Sequence, residues 1–147
     1  MEIKFCKVRD VKTPNKGHAE DAGIDFFIPN DFKEQVLHPS EDILIPSGIK
    51  AIIPNGWCMI AFNKSGVATK MKLRTGACCV DAGYRGEIHI HLFNDGLNDV
   101  TLKPGMKIMQ FCVVQVPEVN LEEITTDDFD KYTSSRGANG FGSSGMF

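Results

Sequence analysis

Apolar and polar side chains alternate most cleanly in GEIHIHLFN, residues 86–94, where Ile88, Ile90 and Leu92 point one way and His89 and His91 the other. A period of two is that of a half-buried strand. DILIPSGIKAIIPNGWCMIAF, residues 42–62, reads as strand, turn, strand, turn, strand, with Pro46-Ser47-Gly48 and Pro54-Asn55-Gly56 as the turns. VTLKPGMKIMQFCVVQV, residues 100–116, reads as two strands around a Pro-Gly turn. Two stretches offer short helices. SGVATKMKL, residues 65–73, is opened by Ser65 as a candidate N-cap, and LEEITTDDFD, residues 121–130, reads more readily as an acidic loop. Short strands broken by frequent turns predict an all-β sandwich or barrel.

At 147 residues the chain has the length of one domain with a core of its own, and 42% apolar with 24% charged residues is ordinary for such a domain. A formal net charge of −3 gives no broad electrostatic case for duplex nucleic acid, so no nucleic-acid partner is expected. No apolar run approaches the roughly 20 residues that span a bilayer, so no membrane association is expected. The opening MEIKFCKVRD lacks the apolar stretch of a secretion signal, which predicts a cytoplasmic protein. Cys6, Cys58, Cys78, Cys79 and Cys112 are odd in number and lack C-x-x-C spacing. They read as small buried hydrophobes in a reducing compartment. Residues 134–147, SSRGANGFGSSGMF, hold four glycines and four serines and cannot bury enough apolar surface to fold alone. A domain over 1–133 and a flexible arm over 134–147 are therefore expected.

Polar residues cluster where a fold does not require them. In TGACCVDAGYRGEIHIHLFN, residues 75–94, small residues lead into Val80, Asp81 and Tyr84, as in a β-hairpin with a carboxylate at its rim. Its backbone can approach a flat ligand closely, while a turn-capping role for Asp81 is the alternative. In FNKSGVATK, residues 62–70, Lys64, Ser65 and Gly66 lie between a strand and a candidate helix, where backbone N–H groups, an ammonium and a hydroxyl suit phosphate oxygens. Asp21 and Asp25 fit either solvated loop aspartates or the one or two carboxylates that magnesium accepts beside phosphate and water. His89-x-His91 carries little weight as a zinc pair.

In order, these segments resemble the trimeric dUTPase family. Its five short motifs have counterparts in Ala22-Gly23-Ile24-Asp25, Lys64-Ser65-Gly66, Val80-Asp81-Ala82-Gly83-Tyr84-Arg85-Gly86, Pro104-Gly105-Met106-Lys107-Ile108-Met109-Gln110, and the tail from Arg136 to Gly145. The resemblance implies a distorted jelly-roll β-barrel, a homotrimer with active sites at subunit interfaces, and Mg²⁺-assisted hydrolysis of dUTP to dUMP and pyrophosphate. It implies Asp81 as the water-activating carboxylate and Tyr84 as the ring beneath the deoxyribose. The hairpin of residues 75–80, including Thr75, Cys78 and Val80, is implied to meet the uracil edge through its main chain. Lys64, Ser65, Gly66 and Gln110 are implied at the phosphates, and Asp25 near the metal through water. The tail is implied to close over a neighbouring subunit's site, with Phe141 stacked on uracil, Arg136 at the terminal phosphates, and Gly142 and Ser143 offering backbone N–H groups.

Several positions depart from the family pattern. Lys64 replaces arginine, Thr75 asparagine, Cys78 glycine, Met106-Lys107 an Asp-Arg pair, and Asn139 a glycine. Gly83 stands where aspartate is usual, in the D-x-G-Y-x-G style of the related dCTP deaminases. Those enzymes need a glutamate on the following strand, where His91 stands here. A deaminase-like enzyme and a catalytically weak binding or regulatory member are the alternatives.

Overall fold

The computed structural model describes residues 1–140; Phe141, Gly142 and Ser143 lie outside the described residues. The backbone divides into two units, Met1–Pro117 and Glu118–Phe147. In the first unit, eleven strands follow one another: β1 Lys4–Lys7, β2 Gly23–Phe27, β3 Gln35–Leu37, β4 Asp42–Pro46, β5 Ile49–Ile52, β6 Trp57–Asn63, β7 Leu73–Thr75, β8 Cys79–Val80, β9 His89–Asn94, β10 Val100–Leu102 and β11 Lys107–Gln115. They form a four-stranded sheet β2-β11-β6-β8, a three-stranded sheet β4-β9-β7, and the pairs β1-β5 and β10-β3. Every ladder is antiparallel. The all-β expectation is met.

Alternation decides which side chains meet in the middle. Ile88, Ile90 and Leu92 are buried while His89, His91 and Phe93 are half-buried on the other face, as the sequence period requires. Phe26 of β2 and Phe111 of β11 pack with ring centroids 4.6 Å apart at 52°, a tilted pair that joins two neighbouring strands at the core. Three proline-containing turns end in glycines at positive φ: Gly48 at 76°, Gly56 at 80° and Gly105 at 75°. At Gly48 a Cβ would also stand 2.8 Å from Val11 Cγ1, so this position needs glycine for backbone and space alike.

Beyond one strand pairing that the sequence left open, at Pro104-Gly105, four local expectations are corrected. The strands flanking Pro104-Gly105 do not pair with each other: β10 pairs with β3, and β11 with β2 and β6. Gly105 N donates to Ile28 O and Ile28 N to Met106 O, both at 2.9 Å, so the turn is tied to the end of β2 and delivers the chain into another sheet. Residues 75–94 are not one hairpin either. β7 pairs with β9, while the intervening β8 pairs with Met59 and Ile60 of β6. Ser65 is not an N-cap. A single π-helical turn covers Val67–Met71, its leading position is Gly66 without a side-chain cap, and Lys72 ends it in the left-handed region at φ 57°. Among the cysteines only Cys58 is fully buried; Cys6 and Cys79 are exposed on strands at sheet margins, and Cys78 is exposed just before β8. In the second unit, the expected acidic loop contains a one-turn helix, α1, Thr126–Phe129. Thr125 Oγ1 accepts from Asp128 N at 3.2 Å, and Asp127 and Asp128 favour the positive end of the turn.

Phe111→Ala removes one ring of the central pair and leaves a cavity between β2 and β6. We expect a loss of about 3–5 kcal/mol, read from the midpoint of urea unfolding; an unchanged midpoint would show that the core does not depend on this pair.

Candidate active site

The segment after β7 is short on side-chain bulk and rich in tethers. Thr75 N–H donates to Asn63 Oδ1 at 2.7 Å, Gly76 N–H to His91 O at 2.9 Å, and Ala77 N–H to His91 Nδ1 at 2.9 Å. Ala61 N–H donates to Cys78 O at 2.8 Å. The main chain of residues 75–78 is thus suspended between β6 and β9 before β8 begins. Thr75 Oγ1 is buried and, among the described residues, has no hydrogen-bond partner.

This segment forms one wall of a cavity of about 170 Å³ that also holds Val80, Asp81, Tyr84, His89 and Leu44. Asp81 and Tyr84 therefore face the same space. The turn between them is closed by Tyr84 N–H to the backbone Asp81 O at 3.1 Å, so the Asp81 carboxylate is not spent on capping it. Its neighbour is Cys79, whose Sγ lies 3.6 Å from Asp81 Oδ1. Desolvation and the adjacent carboxylate push the Cys79 thiol up to about 11, so it stays protonated and donates. Tyr84 is held flat. Its hydroxyl donates to Glu87 O at 2.9 Å, and a Cβ at Gly86 would overlap the ring. A side chain at position 86 would displace the ring, which gives the glycine of the D-x-G-Y-x-G pattern a physical reason.

A second cluster gathers around β2. Asp25 is 4% exposed, and Lys64 Nζ contacts its Oδ1 while Lys107 Nζ contacts its Oδ2 at 2.8 Å. Desolvation works to raise the Asp25 pKa; hydrogen bonds and charge from Lys107 and Lys64 outweigh it and hold the carboxyl below the ordinary aspartate value. Asp25 is thus a buried strand residue, not a solvated loop aspartate. Gln110 stands opposite Asp25 in the β2–β11 ladder and donates from Nε2 to Asn63 O at 2.9 Å. A Cβ at Gly23 would overlap the Gln110 amide. Ser65 and Gly66 are exposed just beyond Lys64.

The structure therefore sorts the expected site residues into two groups. Thr75 belongs to the tethered segment, and Cys78, Val80, Asp81 and Tyr84 line its cavity; Asp25, Lys64 and Gln110 gather around β2, with Ser65 and Gly66 beside them. Phe62, opposite Gln110, is three positions along β6 from Met59, opposite Val80, a span of about 10 Å at strand rise. Asn63 links the groups, its side chain holding Thr75 and its carbonyl holding Gln110. In the second unit, Arg136 Nε donates to Asn139 O at 2.7 Å within an exposed turn. Sequence reasoning missed Asn63, Lys107 as a partner of Asp25, and His91 as a tether. Their partners are 12, 82 and 14 positions away, and no local pattern encodes such pairings.

Among the described residues, no group of three or more His, Cys, Asp or Glu is arranged to hold a metal ion. Both Asp25 oxygens carry an ammonium, so this carboxylate is not free to ligate a metal ion directly.

Comparison with known proteins agrees with this architecture. The dUTPase family profile matches residues 9–145. The deoxyuridine 5'-triphosphate nucleotidohydrolase of Clostridium tetani is 35% identical over 147 residues, covering 99% of this chain and 96% of that protein. Its namesake from Clostridioides difficile is 36% identical, covering 98% of each. The Staphylococcus bacteriophage 80alpha dUTPase solved with dUPNHPP superposes with a TM-score of 0.81 at 26% identity, over 99% of both chains. The dUTPase of phage phi11 of S. aureus, solved as a mutant that reveals coordination of a structural Mg(II) ion, shares the fold with a TM-score of 0.75 at 22% identity, over 84% of this chain and 97% of that one. The chain belongs to the dUTPase family.

The Asp25 ion pairs carry a pH signature. A carboxylate whose folded pKa lies below its unfolded value, about 3.9, contributes stability above that value and loses it as pH falls through the folded pKa. Asp25→Asn should lower stability at pH 7 and make the decline below about pH 4 shallower than in the wild type. Urea unfolding between pH 7 and 3 reads both, and superimposable acid limbs would contradict the assignment.

Proposed function

We propose that this chain hydrolyses dUTP to dUMP and pyrophosphate, with Asp81 orienting the attacking water and accepting part of its proton. The observation that carries the reading is the shared cavity of Asp81 and Tyr84, walled by residues 77–80 of the tethered segment and β8. A nucleotide whose uracil lies along that main chain brings its sugar over the Tyr84 ring and its α-phosphorus within reach of Asp81. An exposed aspartate is a weak base at neutral pH, so much of its effect is placement of the water in line with the bond that breaks. Attack at the α-phosphorus releases pyrophosphate as the leaving group. The Tyr84 ring, pinned by its bond to Glu87 O, is proposed to lie beneath the deoxyribose and so to leave no room for a 2′-hydroxyl. Fixed backbone donors and acceptors discriminate against cytosine, which would leave buried groups unpaired.

Two ammonium groups sharing one carboxylate leave the Asp25 cluster with a net positive charge. Lys64, Ser65, Gly66 and Gln110 are proposed to face the phosphates from there. Mg²⁺ brought mainly by the triphosphate, with Asp25 near it through water, would supply charge compensation for the departing pyrophosphate. The Asp81 cavity includes neither Asp25 nor Lys64, so the two groups are proposed to complete one another between subunits of a homotrimer. Leu44 and Tyr84 at the cavity and Phe62 on β6 are large exposed apolar side chains that such contacts would cover. The arm of residues 134–147, with Arg136, Phe141, Gly142 and Ser143, is proposed to close over the assembled site and exclude water.

Deamination is the less supported reading. His91 occupies the position where the deaminases need a glutamate, and both its ring nitrogens already have partners, Ala77 N–H and Asp42.

Asp81→Asn should fold with an unchanged melting temperature and bind dUTP, with kcat lowered by about 100-fold or more; unchanged kcat would remove Asp81 from the mechanism. UTP should be turned over with kcat/KM at least about 100-fold below that of dUTP. Measured pyrophosphate release with Mg²⁺ checks this, and equal rates would refute exclusion by the Tyr84 ring.

A further inference from the structure

The tethers of the 75–78 segment differ in kind. Gly76 N–H and Cys78 O are held by backbone, whereas Thr75 N–H and Ala77 N–H depend on single side chains, Asn63 and His91. The His91 tether is chemically specific. An amide N–H can only donate, so Nδ1, 2.9 Å from Ala77 N, carries no proton. The ring proton is then on Nε2, which donates to Asp42 Oδ2 at 3.0 Å. Asp42 lies on β4 and His91 on β9, neighbouring strands of one sheet. Asp42 therefore selects the tautomer that Ala77 requires.

The packing around the ring allows little slack. Phe93 tilts against it with centroids 4.8 Å apart, and the His91 side chain is only 19% exposed. Gly76 passes so close that a Cβ would overlap the imidazole. The ring is thus clamped between Phe93 and the Gly76 backbone with Nδ1 aimed at the next peptide. Ala77 and Cys78, on either side of that aimed region, both line the Asp81 cavity.

We infer that His91, held in its Nε2–H tautomer by Asp42, is a positioning residue for base recognition. It fixes the Ala77 amide and with it the main-chain edge against which the uracil is read. The inference rests on the reading above, in which residues 75–80 meet the base. A main chain fixed before binding spares the ordering cost at the moment of binding. Loss of the tether should therefore weaken substrate binding and leave the chemical step, which belongs to Asp81, nearly untouched.

The side chains that separate ring packing from hydrogen bonding are Phe and Asn. His91→Phe keeps a ring and removes the acceptor; His91→Asn places an amide oxygen where Nδ1 stood. In the full-length protein with Mg²⁺, His91→Phe should raise KM for dUTP about tenfold, the worth of one hydrogen bond, with kcat within about twofold of wild type. Hydrogen exchange at the Ala77 amide should accelerate. His91→Asn should restore both KM and the slow exchange. Wild-type KM in His91→Phe, or equal impairment of both variants, would overturn the inference. If His91→Phe does not fold, His91→Asn decides: near wild-type KM with a protected Ala77 amide supports the role, and raised KM with an unprotected amide refutes it. A wild-type protein that releases no pyrophosphate from dUTP would instead defeat the functional reading on which the inference stands.

Discussion

The suspension of residues 75–78 between two sheets is the constraint on which the site depends. Small side chains alone would leave this stretch a loose loop. Four hydrogen bonds, from Asn63, Ala61 and both the backbone and ring of His91, convert it into a fixed edge. The edge then runs into β8, which pairs with β6, and Asp81 emerges one residue later. Tyr84 follows through a turn closed on the Asp81 carbonyl. The order of side chains around the cavity is therefore set by main-chain geometry, and a short stretch can specify a ligand edge, a carboxylate and a ring together.

The two important carboxylates are treated oppositely. Asp25 is buried and neutralised twice, and its charge serves to hold Lys64 and Lys107 in place. Breaking such a buried pair strands charge in a low-dielectric setting, which makes the cluster rigid. Asp81 is exposed, unconsumed by the turn that carries it, and adjacent to a protonated thiol. A rigid cationic cluster suits polyphosphate binding, where the same charge must be met every cycle. An exposed carboxylate suits handling of a water that must arrive and depart.

Much of this was legible in the chain itself, for identifiable reasons. Alternation at residues 86–94 and the Pro-Gly turns are local signals, and the strands and positive-φ glycines appear where those signals put them. Asp81 and Tyr84 are three residues apart, so their common cavity follows from one turn. What sequence could not supply was pairing at a distance. It read two strands around Pro104-Gly105, which are present, but not that Ile28 captures the turn and sends β11 to β2. It assigned Ser65 to a cap, although the following residues wind into a π-turn that begins after Gly66. It read Asp25 as either loop aspartate or metal neighbour, because Lys107 lies far along the chain and joins it only across the β2–β11 ladder.

The most direct test is a crystal structure of this chain with dUPNHPP and Mg²⁺. The account predicts uracil hydrogen-bonded to the main chain within residues 75–80, the deoxyribose on the Tyr84 ring, and an Asp81-bound water in line with the α-phosphorus. A nucleotide bound with its base against any other segment, with Asp81 turned to bulk solvent, would contradict it.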